Sequence, residues 1–166
     1  MRRILAGAAL ALLVAAGSIA AAAWPAHHKT PTQGIATDVL GRAPATGSLH
    51  LLAFLATQPD YAATTSRSQA VEIVSLETQY GRKGLAAQIV DESGAGRGAL
   101  INTYYDWQLG DIRVVADPAR TLARRYGVTS TPAVVLVDAR GTVVKRWDAY
   151  VPTVQVVQSI TGKLTG

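Results

Sequence analysis

The chain has 166 residues, 49% of them hydrophobic and only 16% charged, with a formal net charge of +5. That is enough apolar material for one globular domain with its own core, and too little charge for long polyelectrolyte tracts. No Lys/Arg cluster interleaves with aromatics, so nucleic acid is not expected as a partner; with no cysteine, the chain has no thiol for disulfide exchange or peroxide reduction.

Residues 1–24 read as a signal peptide or an N-terminal membrane anchor. Met1-Arg2-Arg3 is a positive start, Ile4–Trp24 carries no charge, and Ala21-Ala22-Ala23 offers the small residues that a signal peptidase cuts after. The uncharged stretch is also long enough to cross a bilayer if it is not removed. A lipoprotein anchor is excluded, because it needs a cysteine. Either reading places the rest of the chain outside the cytoplasm, and membrane contact is expected only through this segment, if uncleaved. Residues 25–47 hold Pro25, Pro31, Pro44, Gly34, Gly41 and Gly47 and read as a linker or loose arm. His27 and His28 lie in that arm. No second Cys, Asp or Glu cluster completes a metal site with them, so neither a metal nor a cofactor is expected.

From residue 48 the texture is that of a folded domain running to the end of the chain. Leu49–Thr57 is an apolar run expected to be a buried strand. A turn follows at Gln58-Pro59-Asp60-Tyr61. Thr64, Thr65 and Ser66 are candidate N-caps for a helix through Tyr80, with Ala70, Ile73, Val74 and Leu76 at helical spacing. Gly81 and Gly84 end it. Leu85–Val90 is a second strand, and Gly94, Gly96 and Gly98 mark a loop. A helix is expected over Ala99–Gln108, with Leu100, Tyr104 and Trp107 on one face. Ile112–Ala116 is a third strand. Asp117 or Thr121 caps a short helix ending at Gly127. Ala133–Asp138 and Thr142–Trp147 form a hairpin around Ala139-Arg140-Gly141, and Thr153–Leu164 is an amphipathic closing helix. The order β-α-β-α-β-α-β-β-α points to a three-layer α/β sandwich around a mixed sheet.

The run Asp117-Pro118, then Tyr126-Gly127-Val128-Thr129-Ser130-Thr131-Pro132, then the apolar strand Ala133–Asp138 and a Gly turn, resembles the thioredoxin-like superfamily. Within it, the chain looks like the extracytoplasmic TlpA-like domains and the redoxins of the AhpC/TSA type. The resemblance covers roughly Leu49–Leu164. It implies a thioredoxin-like α/β/α fold, a cis Thr131–Pro132 bond, and an oxidoreductase class, thiol–disulfide or antioxidant, by similarity. It also implies a C-x-x-C motif at the start of the first helix, and there the chain departs. Aligned backwards from Tyr80 and Gly84, the motif falls on Ala63-Thr64-Thr65-Ser66; aligned forwards from Phe54–Thr57, it falls near Pro59–Ala62. The second frame resembles Sco-like copper proteins, keeping their Pro59-Asp60 pair and neither thiol.

Both frames leave no nucleophile. A serine or threonine hydroxyl needs a neighbouring base, and His27, His28 and His50 all precede or begin the first strand. What the resemblance leaves is a cysteine-less, redox-inactive binding or supporting module of the cell envelope. Its expected binding surface is the vestigial groove of Pro59, Asp60, Tyr61, Ala63, Thr64, Thr65, Ser66, Thr131 and Pro132, which would take an extended peptide or envelope protein. An alternative occupant is a small anion at the free N–H groups of the first helix. Trp107 and Trp147 are expected to be core or edge aromatics.

Overall fold

The computed structural model describes residues 38–43, 45–58 and 61–164, with backbone alone at Tyr61 and Ala62. The expected export segment, most of the expected linker with His27 and His28, and the site candidates Pro59 and Asp60 lie outside the described residues. Among the described residues, no helix is long and apolar enough to cross a membrane.

The elements follow the expected order: β1 (Leu49–Leu55), α1 (Tyr61–Tyr80), β2 (Leu85–Asp91), α2 (Arg97–Asp106), β3 (Arg113–Ala116), α3 (Thr121–Tyr126), β4 (Ala133–Asp138), β5 (Val143–Trp147) and α4 (Thr153–Ile160). The five strands form one mixed sheet in the order β3-β2-β1-β4-β5. β1, β2 and β3 run parallel, and β4 and β5 are antiparallel to their neighbours.

The central strand β1 is apolar on both faces because both faces are covered. Its side chains alternate between two cores. Leu49, Leu51, Ala53 and Leu55 join Ala70, Ile73 and Leu76 of α1, Leu100 of α2, and Val156 and Ile160 of α4. Leu52 and Phe54 point the other way, onto Leu122 and Ala123 of α3. The Tyr126 ring meets Phe54 edge-on at 6.4 Å. Three helices therefore cover one face and one short helix the other, and the fold is the expected three-layer α/β/α sandwich. Trp107 and Trp147 both pack, half-buried, against the larger core.

Several element ends differ from the sequence reading. α1 begins at Tyr61, ahead of the cap candidates Thr64, Thr65 and Ser66. α2 spans Arg97–Asp106, so Trp107 caps it instead of lying within it. α4 stops at Ile160; the next residue, Thr161, leaves helical geometry, and Gly162 takes a left-handed φ of 76°.

The larger correction concerns the linker. From Asp38 onward it belongs to the domain. Val39 is buried, and its N–H donates to the Val114 carbonyl at 2.8 Å. The Asp38 carboxylate accepts the Val114 N–H at 2.8 Å and the Arg42 Nε–H at 2.7 Å. Arg42 donates in turn to the Ile112 carbonyl and lies over the Tyr104 ring. Arg97 donates to the Val39 carbonyl, and Arg113 to that of Ala43. This strap satisfies the outer edge of β3, which would otherwise stand unpaired. Composition misses it because a Gly- and Pro-rich segment reads as loose unless its side chains find partners far along the chain.

Candidate functional site

The C-terminal ends of β1, β2 and β3 open at the start of α1, and the site is built there. β1 ends at Leu55, and Ala56 and Thr57 lead away from it. The Ala56 N–H donates to the Ser66 hydroxyl at 3.0 Å. Ser66 is wholly buried in the second turn of α1, so its oxygen ties helix to strand. Thr64 accepts a bond at its carbonyl from the Ser68 hydroxyl. Thr64 is exposed and Thr65 half-buried, both inside the helix. The expectation that Thr64, Thr65 and Ser66 cap α1 is corrected: they lie within its first two turns, and Ser66 uses its acceptor on a distant N–H instead of a local one.

Two further contacts hold α1 in place. The buried Gln69 side chain donates to the Val151 carbonyl and accepts the Val151 N–H, at 3.1 and 2.7 Å. Glu72 accepts from Tyr150 Oη at 2.7 Å and from both the N–H and the hydroxyl of Thr153. Those donors hold its carboxyl below the ordinary value, the Thr153 hydroxyl most of all, and burial opposes them only in part.

At the end of β2, Asp91 is buried completely. One carboxylate oxygen accepts from the Thr57 hydroxyl at 2.8 Å, from the Ser93 hydroxyl at 2.7 Å and from the Ser93 N–H at 3.2 Å. Its second oxygen has no partner among the described residues. The next residue, Glu92, pairs with Arg120 at 2.7 Å. Burial pushes the Glu92 carboxyl up, against the pull of that guanidinium. Asp117 accepts the N–H groups of Thr121, Leu122 and Ala123 at 2.7, 2.8 and 3.0 Å and so caps α3 from four residues upstream. Of these groups, only Asp117 was legible in the sequence, as a cap. Asp91, Glu92 and Ser93 read there as a strand end and loop, and no motif marks them.

A groove of about 520 Å³ lies over this region, between the start of α1 and the end of α2. Thr57, Ala63, Thr64 and Arg67 line one side, and Thr103, Asp106 and Trp107 the other. Thr131 and Pro132 are not among the described residues that line it. The Thr131–Pro132 bond is cis; Thr131 is half-buried and Pro132 buried. The structure thus brings Ala63 and Thr64 into one groove with Arg67 and Trp107, and it places Ser66 in the core. The side chain of Tyr61 lies outside the described residues.

His50 sits at the opposite end of β1, five residues before Leu55, which is about 16 Å along a strand. Burial lowers its pKa and favours the neutral ring, against the opposing effect of the Gly47 backbone. It is too far away to serve as base to any hydroxyl near the helix start. No group of three or more His, Cys, Asp or Glu residues that could hold a metal occurs among the described residues.

No family model matches the chain, and no curated protein matches it in sequence. Solved structures do match. StoA from Bacillus subtilis superposes with a TM-score of 0.62 at 13% identity, over 75% of this chain and 93% of that one. A secreted Mycobacterium tuberculosis disulfide oxidoreductase, homologous to E. coli DsbE, gives 0.61 at 18% identity, over 80% and 98%. The thioredoxin domain of a Bacteroides vulgatus thiol-disulfide oxidoreductase gives 0.61 at 14%, over 76% and 91%. This chain has the thioredoxin-like fold. At these identities the superposition speaks for the fold alone. The thioredoxin-like domain found here has no cysteine anywhere in its chain, whereas two of the three structures are named for thiol–disulfide chemistry.

Proposed function

We propose that this chain is an exported thioredoxin-like protein without redox turnover, used as a binding or supporting module of the cell envelope. The observation that carries the proposal is the absence of cysteine on this fold. Thiol–disulfide exchange proceeds through a thiolate attacking a disulfide sulfur, and no other side chain near the helix start replaces it. The Ser66 hydroxyl is buried and occupied by the Ala56 N–H, and His50 lies at the far end of β1. Binding needs no thiol. An extended peptide laid beside Thr131, ahead of Pro132, would be held by backbone hydrogen bonds. A location outside the cytoplasm rests on the export signal read in residues 1–24, and it accords with the secreted Mycobacterium protein of the same fold.

The test is turnover. Purified chain, assayed against insulin disulfides with dithiothreitol and against hydrogen peroxide, is expected to give background rates. Turnover that persists in a preparation cleared of contaminating redoxins overturns the proposal.

A further inference from the structure

The groove between α1 and α2 carries two opposite charges that the fold itself does not use. Arg67, on the α1 wall, makes no ion pair among the described residues; its guanidinium reaches only the Asp106 backbone carbonyl, at a long 3.5 Å. The Asp106 carboxylate, on the α2 wall, has no partner among the described residues either. Three ion pairs hold other charges around the sheet: Asp38 with Arg42, Glu92 with Arg120, and Asp148 with Arg146. Asp117 caps α3.

The hydroxyl-bearing Thr57 and Thr64 line the Arg67 side, and Thr103 and the half-buried Trp107 line the Asp106 side. The Thr57 hydroxyl is already oriented, because it donates to the buried Asp91 carboxylate and lies 3.2 Å from the Ser93 hydroxyl. The groove holds about 520 Å³ and is open to solvent.

We infer that this groove binds a free α-amino acid with an apolar side chain. Arg67 would take the carboxylate through its two-pronged donor face. Asp106 would accept from the ammonium, and Trp107 would cover the side chain. A plain anion would leave Asp106 repelling it, and a plain cation would meet Arg67. Only a molecule carrying both charges satisfies both walls. The inference goes beyond the proposed function, since it concerns a groove that shares Ala63 and Thr64 with the expected peptide surface but does not reach Thr131, and it requires no peptide partner.

The experiment uses the full chain and L-phenylalanine, followed by the indole N–H signals in a two-dimensional nitrogen–proton spectrum. Trp107 is assigned through Trp107→Phe. Saturable movement of the Trp107 signal is expected, with 3-phenylpropanoate and 2-phenylethylamine, each carrying one charge, binding at least about tenfold more weakly. Arg67→Gln and Asp106→Asn should each weaken phenylalanine by about the same factor. Both residues are exposed, so both variants should keep the wild-type spectrum elsewhere. No saturable movement up to about 10 mM, which corresponds to binding too weak for a built site, overturns the inference. So does 3-phenylpropanoate binding as tightly as phenylalanine with Asp106→Asn unaffected, which would mark a simple anion site. Either failure leaves the turnover assay, and the reading it tests, untouched.

Discussion

Ser66 Oγ accepts the Ala56 N–H at 3.0 Å, joining the second turn of α1 to the chain just beyond β1. The Ser66 side chain is completely buried, so Ser66→Ala would leave the Ala56 N–H without its acceptor. A loss of about 1–3 kcal/mol is expected. Urea titration checks it: the midpoint should fall with the slope unchanged. An unchanged midpoint would mean that water replaces the hydroxyl at no cost.

Asp117 satisfies three N–H groups at the start of α3 from a position four residues upstream. Asp117→Ala should cost about 2 kcal/mol, the upper end for a lost cap. For a chain of 166 residues that corresponds to a fall in melting temperature of about 4–8 °C. Asp117→Asn keeps an acceptor oxygen and should cost less. Calorimetry on the pair distinguishes lost hydrogen bonding from lost volume.

The strap from Asp38 to Gly47 predicts where the domain can be cut. A chain beginning at Leu49 loses the Val39–Val114 and Asp38–Val114 bonds and uncovers the edge of β3. It should be less stable than one beginning before Asp38, and more prone to self-association. Burial works against the Asp38 charge, but the hydrogen bonds from Arg42 and Val114 outweigh it, and the net result is a pKa below the ordinary 3.8. A depressed carboxyl stabilises the fold above its unfolded pKa and loses that contribution as pH falls through the folded value. The gap between wild type and Asp38→Asn should therefore be present at neutral pH and close below about pH 4.

Glu77 shows the opposite sign. Its carboxylate accepts the Ala87 N–H at 2.7 Å, yet burial outweighs that bond and raises its pKa above the ordinary 4.5. Nearby Asp111 pushes the same way, and Arg113 opposes it. A raised carboxyl destabilises the fold progressively as pH rises above its unfolded value. Glu77→Gln retains an oxygen for Ala87 without the charge. It should match or exceed wild type at pH 7 and lose that advantage toward pH 4, as followed by denaturation at a series of pH values.

Thr131→Arg tests the peptide surface beside Pro132. Thr131 is half-buried ahead of the buried Pro132, so added bulk there should cost the fold little, about 0.5 kcal/mol. Extended peptides selected on wild-type protein from a displayed library should bind the variant at least about tenfold more weakly. Equal binding by both proteins would move the functional surface away from this loop.

Much of the architecture is determined by sequence alone. The apolar runs Leu49–Leu55, Leu85–Val90 and Ala133–Val137 specify strands covered on both faces, because such runs have no solvent face to offer. The stretch from Asp117 to Trp147 identifies its turn, cap, helix end and hairpin from local chemistry, since each depends on residues within a few positions of one another. The absence of a thiol is likewise a fact of composition. Only the tertiary structure decided what the polar residues do. Ser66 reads as a cap and is a buried strut, because its partner lies ten residues back across a turn. Asp38 reads as linker and closes a sheet edge, because Val114 lies 76 residues away. Arg67, Asp106 and Trp107 share a groove because α1 and α2 pack on the same face of the sheet. No spacing in the chain records that meeting, for it is set by how two helices lie across parallel strands.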